Sequence, residues 1–278
     1  MHFLQPANPA EALATLDRLC RHYDHLKALV REYRFMRQQE TYGRMADPHF
    51  HTDRAAMDRI DSPAWLRTSL IVRLPTTLLA PLFAELSTVY GTFRDLIHHY
   101  YPDCEVDSYV DSAHITIKTI AGDCSQSADD LHQYLTIIRP LVHQWLAAFN
   151  NATSLYAVGL FSSLNRERGL ALGLRFYPSL PVLQIIRGAV GMALYEQATA
   201  LPLRPEHSFH TTLIHSTGFR ARLTTFPLHP AFTAEFRTLL EHHDRHLFGQ
   251  IDALTPADFI LRHGYSDQLI PLVELPCT

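Results

Sequence analysis

Two short segments, His114-Ile115-Thr116-Ile117 and His210-Thr211-Thr212-Leu213, repeat one pattern: a histidine, a threonine two residues later, and then an aliphatic residue. Both segments have the composition and alternation of β-strands. Because side chains alternate between the faces of a strand, His114 and Thr116 share one face, and His210 and Thr212 share another. The sequence therefore predicts two matched pairs of imidazole and hydroxyl.

Two motifs that each supply an imidazole and a hydroxyl are suited to the cleavage of a phosphodiester. Imidazole titrates near neutral pH, so one histidine can take a proton from an attacking oxygen while the other gives a proton to the leaving oxygen. The hydroxyls of Thr116 and Thr212 can donate hydrogen bonds to the phosphate oxygens, where charge builds up. A single His-x-Thr tripeptide arises by chance, so the repetition is what supports His114 and His210 as catalytic residues that need no metal.

With these motifs the sequence resembles the two-histidine (2H) phosphoesterase superfamily, and within it the LigT-like RNA cyclic phosphodiesterases and 2′-5′ RNA ligases. The resemblance follows the order of elements from about Leu66 to the last strand. It implies a phosphoric diester hydrolase acting on a nucleotide or RNA end, foremost a 2′,3′-cyclic phosphate, with RNA ligation as a side activity. Relatives also act on 2′-5′ linkages, cyclic oligonucleotides and ADP-ribose cyclic phosphate, and the residues do not choose among these.

The predicted fold class is α+β. Strands occur with helices and hairpins rather than in strict parallel units. The duplicated motif predicts two pseudo-symmetric lobes, each an antiparallel sheet backed by helices. The resemblance implies the same architecture, with a central cleft between the sheets that holds both histidines. We expect residues 61–278 to form this bilobed domain and residues 1–60 to form an N-terminal helical extension, in which Pro9–Gln39 has the helical pattern.

Hydrophobic periodicity and capping residues place the other elements. Predicted strands cover 69–75, a hairpin of 156–163 and 169–177, 207–215 and 257–262. Predicted helices cover 76–90 with Thr76 as N-cap, 128–149 with a kink or break at Pro140, 181–194 and 232–248.

Two cationic residues are candidates for binding phosphate. Lys118, one of only two lysines, continues the alternation that begins at His114, and it either lines the phosphate site or ends the strand and reaches solvent. Arg175 shares a strand face with Ala171 and Gly173, whose small side chains would leave space for a ligand. Arg175 would then bind phosphate or form an ion pair at the rim.

Aromatic residues near the motifs could hold a nucleobase by stacking. Tyr109 is the stacking candidate. Phe209 is out of phase with His210 and Thr212, so we expect it to pack beneath the sheet.

Histidine is abundant, at 18 residues, and two clusters resemble metal ligands. His49 and His51 alternate as on a strand, and His242 and His246 would lie one helical turn apart. Neither cluster has further ligands at a recognisable spacing, so we expect no metal. The sequence also lacks a glycine-rich phosphate loop and a G-x-S-x-G turn, and we expect no cofactor.

Composition limits the class of protein. The chain has 278 residues, of which 47% are hydrophobic and 19% charged, as in a globular protein. A net charge of −4 argues against a protein that coats long nucleic acid. The four cysteines have no CxxC spacing, and no leader or membrane span is evident, so we expect a cytoplasmic protein without a membrane partner.

Two alternatives remain open. The chain could be a catalytically weak nucleotide-binding sensor, or an interaction module acting through Pro9–Gln39, where Lys27, Arg31 and Arg34 form a basic or simply solvated face. It could also be an unrelated α+β protein with coincidental motifs. The proximity of His114 and His210 across a cleft would discriminate between these possibilities, because acid and base must both reach one phosphate.

Overall fold

A computed structural model describes residues 66–74, 79–108, 110–122, 127–151, 153–165, 169–180, 182–198, 209–216, 228–265 and 270–278. The predicted extension 1–60, with its Pro9–Gln39 helix and the His49–His51 pair, lies outside the described residues. Thr76 and Tyr109 lie outside them as well.

The described chain folds into nine strands and four α-helices, in an order that interleaves the two kinds of element. The strands are β1 (Leu66–Arg73), β2 (Asp107–Ser108), β3 (His114–Gly122), β4 (Leu155–Asn165), β5 (Gly169–Pro178), β6 (Phe209–Ser216), β7 (Leu247–Ile251), β8 (Phe259–Tyr265) and β9 (Ile270–Pro276). The helices are α1 (Phe83–Tyr100), α2 (Ala128–Ala148), α3 (Val182–Ala198) and α4 (Pro230–His242).

The strands form two antiparallel sheets. Sheet A has the order β3-β1-β8-β9, and sheet B has the order β2-β6-β5-β4-β7. Helix α3 packs on β3 and against α2, which also contacts β8, while α4 packs on β4 and against α1. The predicted α+β class, with two antiparallel sheets and helices, is confirmed. The C-terminal strands β8 and β9 complete sheet A, so that sheet combines both ends of the described chain.

Alternation along β1 shows why the sheets have one packed face. Leu70 and Val72 are fully buried and belong to one hydrophobic cluster that also includes Leu172 of sheet B, whereas the Arg73 side chain is 50% exposed. Apolar side chains on one face of each sheet thus bury against the helices. The opposite face of sheet A carries His114, which pairs with Arg73 across the β1–β3 ladder.

Helix α2 follows its sequence signals closely. Ser127 caps it, and Asp130 completes a reciprocal capping box by accepting a hydrogen bond from the Ser127 backbone N–H. The helix continues through Pro140, so the predicted break is wrong, while the alternative of a kink stays a prediction. Proline removes one intrahelical hydrogen bond, but Ile138 and Val142 on either side are fully buried, and this packing outweighs the local cost.

The predicted bounds of α1 and α4 need correction. Helix α1 begins at Phe83 after a 3-10 turn over Ala80–Leu82, no side-chain hydrogen bond caps its start, and it continues to Tyr100 instead of ending near residue 90. Helix α4 ends at His242, and Leu247–Ile251 is a strand paired with β4. Phe248 and Ile251 are buried in this strand, and its backbone pairing with β4 prevailed over the helical pattern predicted for 232–248.

No helix in the described ranges is both long and apolar enough to cross a membrane.

Candidate active site

The two motif strands meet where sheet A adjoins sheet B. Strand β3 is the outer strand of sheet A, and β6 lies next to the short outer strand β2 in sheet B. The backbone N–H of His114 donates a hydrogen bond to the Thr211 hydroxyl at 3.2 Å, although the two residues are 97 positions apart in the chain. Because Thr211 lies between His210 and Thr212, this contact brings the motifs side by side.

His114 lies in a polar environment beneath the sheet junction. Its Nδ1 lies 2.9 Å from the carbonyl oxygen of Ser112 and 3.2 Å from Nη1 of Arg262. Burial and then the positive charge of Arg262 lower the pKa of His114 to about 4, while the hydrogen bond to Ser112 acts in the opposite direction. The imidazole is therefore neutral at pH 7.

His210 stacks against an aromatic ring of the neighbouring hairpin. The ring centroids of His210 and Phe161 are 3.8 Å apart and the planes differ by 14°. Burial lowers the pKa of His210 to about 3, and the positive charges of Arg187 and Arg175 and the electrostatic effect of His114 add to this effect. The electrostatic effect of His114 on this pKa agrees with the hydrogen bond that brings the two motifs side by side.

Thr116 and Thr212 keep the strand register that their motifs predict. Thr116 pairs with Ile71 across the β1–β3 ladder, and Thr212 pairs with Gly173 across the β5–β6 ladder. Both threonines are partly exposed. Each hydroxyl thus shares a strand face with the histidine of its own motif, which is the arrangement required for two groups to contact one ligand.

Arg175 pairs directly with His210 across the β5–β6 ladder, so the two side chains share one face of sheet B. The guanidinium is 8% exposed and donates a hydrogen bond to Asp244 at 3.2 Å. Arg175 therefore forms the ion pair that was one of its two alternatives, and its role in binding phosphate stays a prediction.

Gly173 does more than leave room for a ligand. A Cβ atom at this position would lie 1.7 Å from the carbonyl oxygen of Thr211. The backbones of β5 and β6 approach each other here next to a register shift between Leu172 and Gly173. Only glycine permits this approach, so the space predicted for a substrate is partly filled by the second motif itself.

A register shift also changes the interpretation of Lys118. Thr116 pairs with Ile71, but Lys118 pairs with Leu70, which faces the hydrophobic cluster. The alternation that put Thr116 and Lys118 on the same face is interrupted by this bulge. Lys118 is only 7% exposed, so it does not reach solvent, and its predicted role in phosphate binding loses the argument from alternation.

Arg187 of α3 was missed by sequence analysis. Its Nε–H donates a hydrogen bond to the Ile117 carbonyl at 2.6 Å and Nη2–H donates to the Thr116 carbonyl at 3.2 Å. Consecutive carbonyls of a regular strand point to opposite edges, so one guanidinium reaches both only because the strand bulges here. The same guanidinium lies 3.9 Å from the ring centroid of Phe209, which is 5% exposed and packs beneath the sheet as predicted.

Arg262 is the second residue that sequence analysis missed. It pairs with Glu274 across the β8–β9 ladder, and its Nε lies 3.9 Å from the Glu274 carboxylate. Burial lowers the pKa of Arg262 from its usual value. An arginine in a predicted strand gives no sign of its partner, because its contact with His114 spans 148 positions of sequence.

The structure bears on the candidate metal ligands, but not on the candidate stacking residue. Among the described residues, no group of three or more histidine, cysteine, aspartate or glutamate side chains converges as metal ligands do. The predicted helical spacing of His242 and His246 is wrong, because α4 ends at His242 and His246 instead contacts Glu85. Stacking by Tyr109 stays a prediction.

A pocket of about 290 Å³ lies between α1 and sheet B, on the face opposite to the motif side chains. Leu86, Val89, Leu160 and Leu172 contribute apolar walls. Neither motif histidine lines this pocket, so its position does not identify the chemical site.

No protein-family model matches the sequence, and no curated protein matches it. Solved structures that resemble the fold include Kluyveromyces marxianus Usb1 with uridine monophosphate, which is 11% identical, with 76% of this chain and 97% of that chain covered at a TM-score of 0.39. A second structure of Kluyveromyces marxianus Usb1 is 13% identical, with 77% and 99% covered at a TM-score of 0.38.

Proposed function

We propose that this protein is a metal-independent phosphodiesterase that hydrolyses a 2′,3′-cyclic phosphate of a nucleotide or RNA end, with His114 and His210 as general base and general acid. The observation that carries the proposal is the hydrogen bond from His114 to Thr211, which joins the two motifs. A coincidental pair of His-x-Thr tripeptides has no reason to meet across two sheets.

The hydrogen-bond partners of His114 favour this residue as the base. A carbonyl only accepts and a guanidinium only donates, so a neutral Nδ1 can satisfy either Ser112 or Arg262, but not both. We assign the proton to Nδ1, where it is donated to the Ser112 carbonyl at 2.9 Å. Arg262 has five N–H groups and loses little by this choice. Nε2 of His114 is then unprotonated and can accept a proton from water.

In the proposed reaction, water attacks phosphorus while Nε2 of His114 takes its proton. The bond from phosphorus to one ribose oxygen breaks, and His210 donates a proton to that oxygen. The product is a phosphomonoester next to a free hydroxyl. His210 must be protonated for this step, and the negative charge of the bound phosphate raises its pKa from the low value of the empty site.

The groups around the histidines would stabilise the transition state. Thr116 and Thr212 would donate hydrogen bonds to non-bridging oxygens, and Arg175 would contribute positive charge on the face of His210. A bound phosphate would compete with Asp244 for Arg175. The stacked ring of Phe161 would fix the plane of the His210 imidazole.

The test is hydrolysis of a nucleoside 2′,3′-cyclic phosphate, followed by ³¹P NMR. Each of the variants His114→Ala and His210→Ala should lose at least about a hundredfold in kcat, given the 10²–10⁴-fold typical of general acid–base catalysis. His132→Ala, at an exposed histidine of α2, is the matched control and should keep full activity. Near-normal hydrolysis by both motif variants would remove the proposal.

The low pKa values of both histidines favour a second function, which is nucleotide binding without turnover, since neither group is a ready acid at pH 7 in the empty site. Calorimetric binding of a nucleoside monophosphate to wild-type protein, with no hydrolysis or ligation of any cyclic phosphate, would favour this function.

A further inference from the structure

Sheet A carries a cluster of charged side chains beside His114. Arg73 pairs directly with His114 across the β1–β3 ladder, so both side chains lie on the same face. Arg73 forms an ion pair with Glu274, which also lies 3.9 Å from Nε of Arg262. Arg262 in turn contacts Nδ1 of His114. Four side chains from four strands thus form one connected group.

The charges of this group do not balance. The carboxylate of Glu274 is shared between two guanidinium groups, so the three side chains together carry one net positive charge. This local charge occurs in a chain with a net charge of −4. Excess positive charge next to a proposed phosphate site attracts further anionic groups of a substrate.

The side chains of Arg73, Arg262 and Glu274 differ in exposure, and this difference indicates different roles. Arg262 is 9% exposed and Glu274 is 25% exposed, whereas Arg73 is 50% exposed. The Arg262 side chain is thus buried, whereas the guanidinium of Arg73 is accessible to solvent beside His114. An exposed ion pair such as Arg73–Glu274 contributes only about 0–1 kcal/mol, so a phosphate can displace the carboxylate from Arg73 at little cost in stability.

We propose that Arg73, with Arg262 behind it, binds a second phosphate of the substrate, adjacent to the one that His114 and His210 act on. The site therefore selects nucleotides or RNA ends that carry at least two phosphates. This inference rests on the proposed function and specifies its substrate class. A planar guanidinium recognises a phosphate through two parallel hydrogen bonds, and Glu274 holds that of Arg73 in place until the phosphate replaces it.

The experiment compares kcat/KM for three substrates with the full-length protein. The first is a nucleoside 2′,3′-cyclic phosphate, the second adds a 5′-phosphate to it, and the third is a dinucleotide that ends in a 2′,3′-cyclic phosphate. Wild-type protein should prefer a two-phosphate substrate over the first by about tenfold, the effect of one charge-assisted contact. The second and third substrates distinguish a terminal phosphate from a neighbouring phosphodiester.

Three variants test the assignment. Arg73→Ala should abolish the preference for two phosphates, and Arg94→Ala, at another exposed arginine with a carboxylate partner, should keep it. Glu274→Gln should increase the preference, because it removes the competing carboxylate.

Failure of the inference about Arg73 and failure of the proposed function would give different results. Equal losses on all three substrates in Arg73→Ala, or a reduced preference in Glu274→Gln, would show that the group only stabilises the sheet and would overturn the inference. Failure of the proposed function itself would look different, because none of the three substrates would then be hydrolysed by wild-type protein.

Discussion

The backbone N–H of His114 donates a hydrogen bond to the side-chain hydroxyl of Thr211 at 3.2 Å, and this contact joins two strands that belong to different sheets. Thr211 is 1% exposed, so its hydroxyl is shielded from competing water. Thr211, between the two polar residues of the second motif, thus has a structural role, while its neighbours His210 and Thr212 face the candidate site.

We expect Thr211→Val to separate the two motifs slightly. Valine has the same shape but no hydroxyl, so the part-buried N–H of His114 loses its partner at a cost of about 1 kcal/mol. A small displacement of the base also reduces the rate, because a shift of about 1 Å can cost on the order of a hundredfold. Urea unfolding and kcat on a nucleoside 2′,3′-cyclic phosphate measure the two effects. Thr211→Ser keeps the hydroxyl and should keep most activity; equal losses in both variants would contradict this explanation.

Gly173→Ala should damage the site more than its size suggests. The new Cβ would lie 1.7 Å from the Thr211 carbonyl, so the backbone of β6 has to move away from β5 directly beneath the second motif. We expect a fall in kcat of at least about a hundredfold.

Gly91→Ala is the matched control for this change, because a Cβ at Gly91 would meet nothing within 4 Å. Gly91 lies in α1, where alanine should stabilise the protein by up to about 1 kcal/mol. Thermal unfolding and activity assays on both variants provide the comparison. Normal kinetics for Gly173→Ala would show that the second motif tolerates displacement.

Arg187 should position both motifs, since it binds the Thr116 and Ile117 carbonyls and lies over the ring of Phe209. Arg187→Lys keeps the charge but cannot reproduce the double contact, and Arg187→Met removes the charge as well. Both variants should lower kcat, but only Arg187→Met should raise the pKa of His210 in an NMR titration, because Arg187 lowers that pKa. A purely structural role would give the same His210 pKa in both.

These residues show how far the sequence alone could reach. Alternation along a strand is a local property, so the sequence could predict that His114 and Thr116 share one strand face and that His210 and Thr212 share another. Lys118 was placed on the wrong face because the bulge between Thr116 and Lys118 arises from pairing with β1 and leaves no trace in the sequence of β3.

The positions of Arg187 and Arg262 near the motifs could not be predicted from the sequence for a related reason. Arg187 and Arg262 reach the motifs from α3 and β8, and the Arg262 contact spans 148 positions. Strand β7 was missed because Leu247 and Phe248 were included in the helical pattern predicted for 232–248, and only the pairing of this segment with β4 determines its structure.

Hydrolysis should survive a large excess of EDTA, because imidazoles and hydroxyls carry out the proposed chemistry. The rate in the presence of EDTA should match that of protein supplemented with zinc or manganese. Loss of activity on chelation, followed by recovery when a metal ion is added, would contradict the two-histidine mechanism.

The pH dependence should differ between the empty and the occupied site. The ordinary histidine pKa of about 6.5 would put both limbs of a bell-shaped profile near neutrality. Burial with Arg262 lowers the pKa of His114 to about 4, and burial with Arg187 lowers that of His210 to about 3. A lowered pKa means that the protonated form is lost as the pH rises through these low values, so neither imidazole of the free protein should titrate between pH 5 and 8.

Because kcat/KM reports on the free protein, kcat/KM should fall as the pH rises above about 4. The alkaline limb of kcat should lie at a higher pH, since bound phosphate favours the imidazolium. NMR titration of both rings, with and without inorganic phosphate, provides the direct measurement. Titration of both histidines near 6.5 in the phosphate-free protein would show that the buried arginines do not control the site.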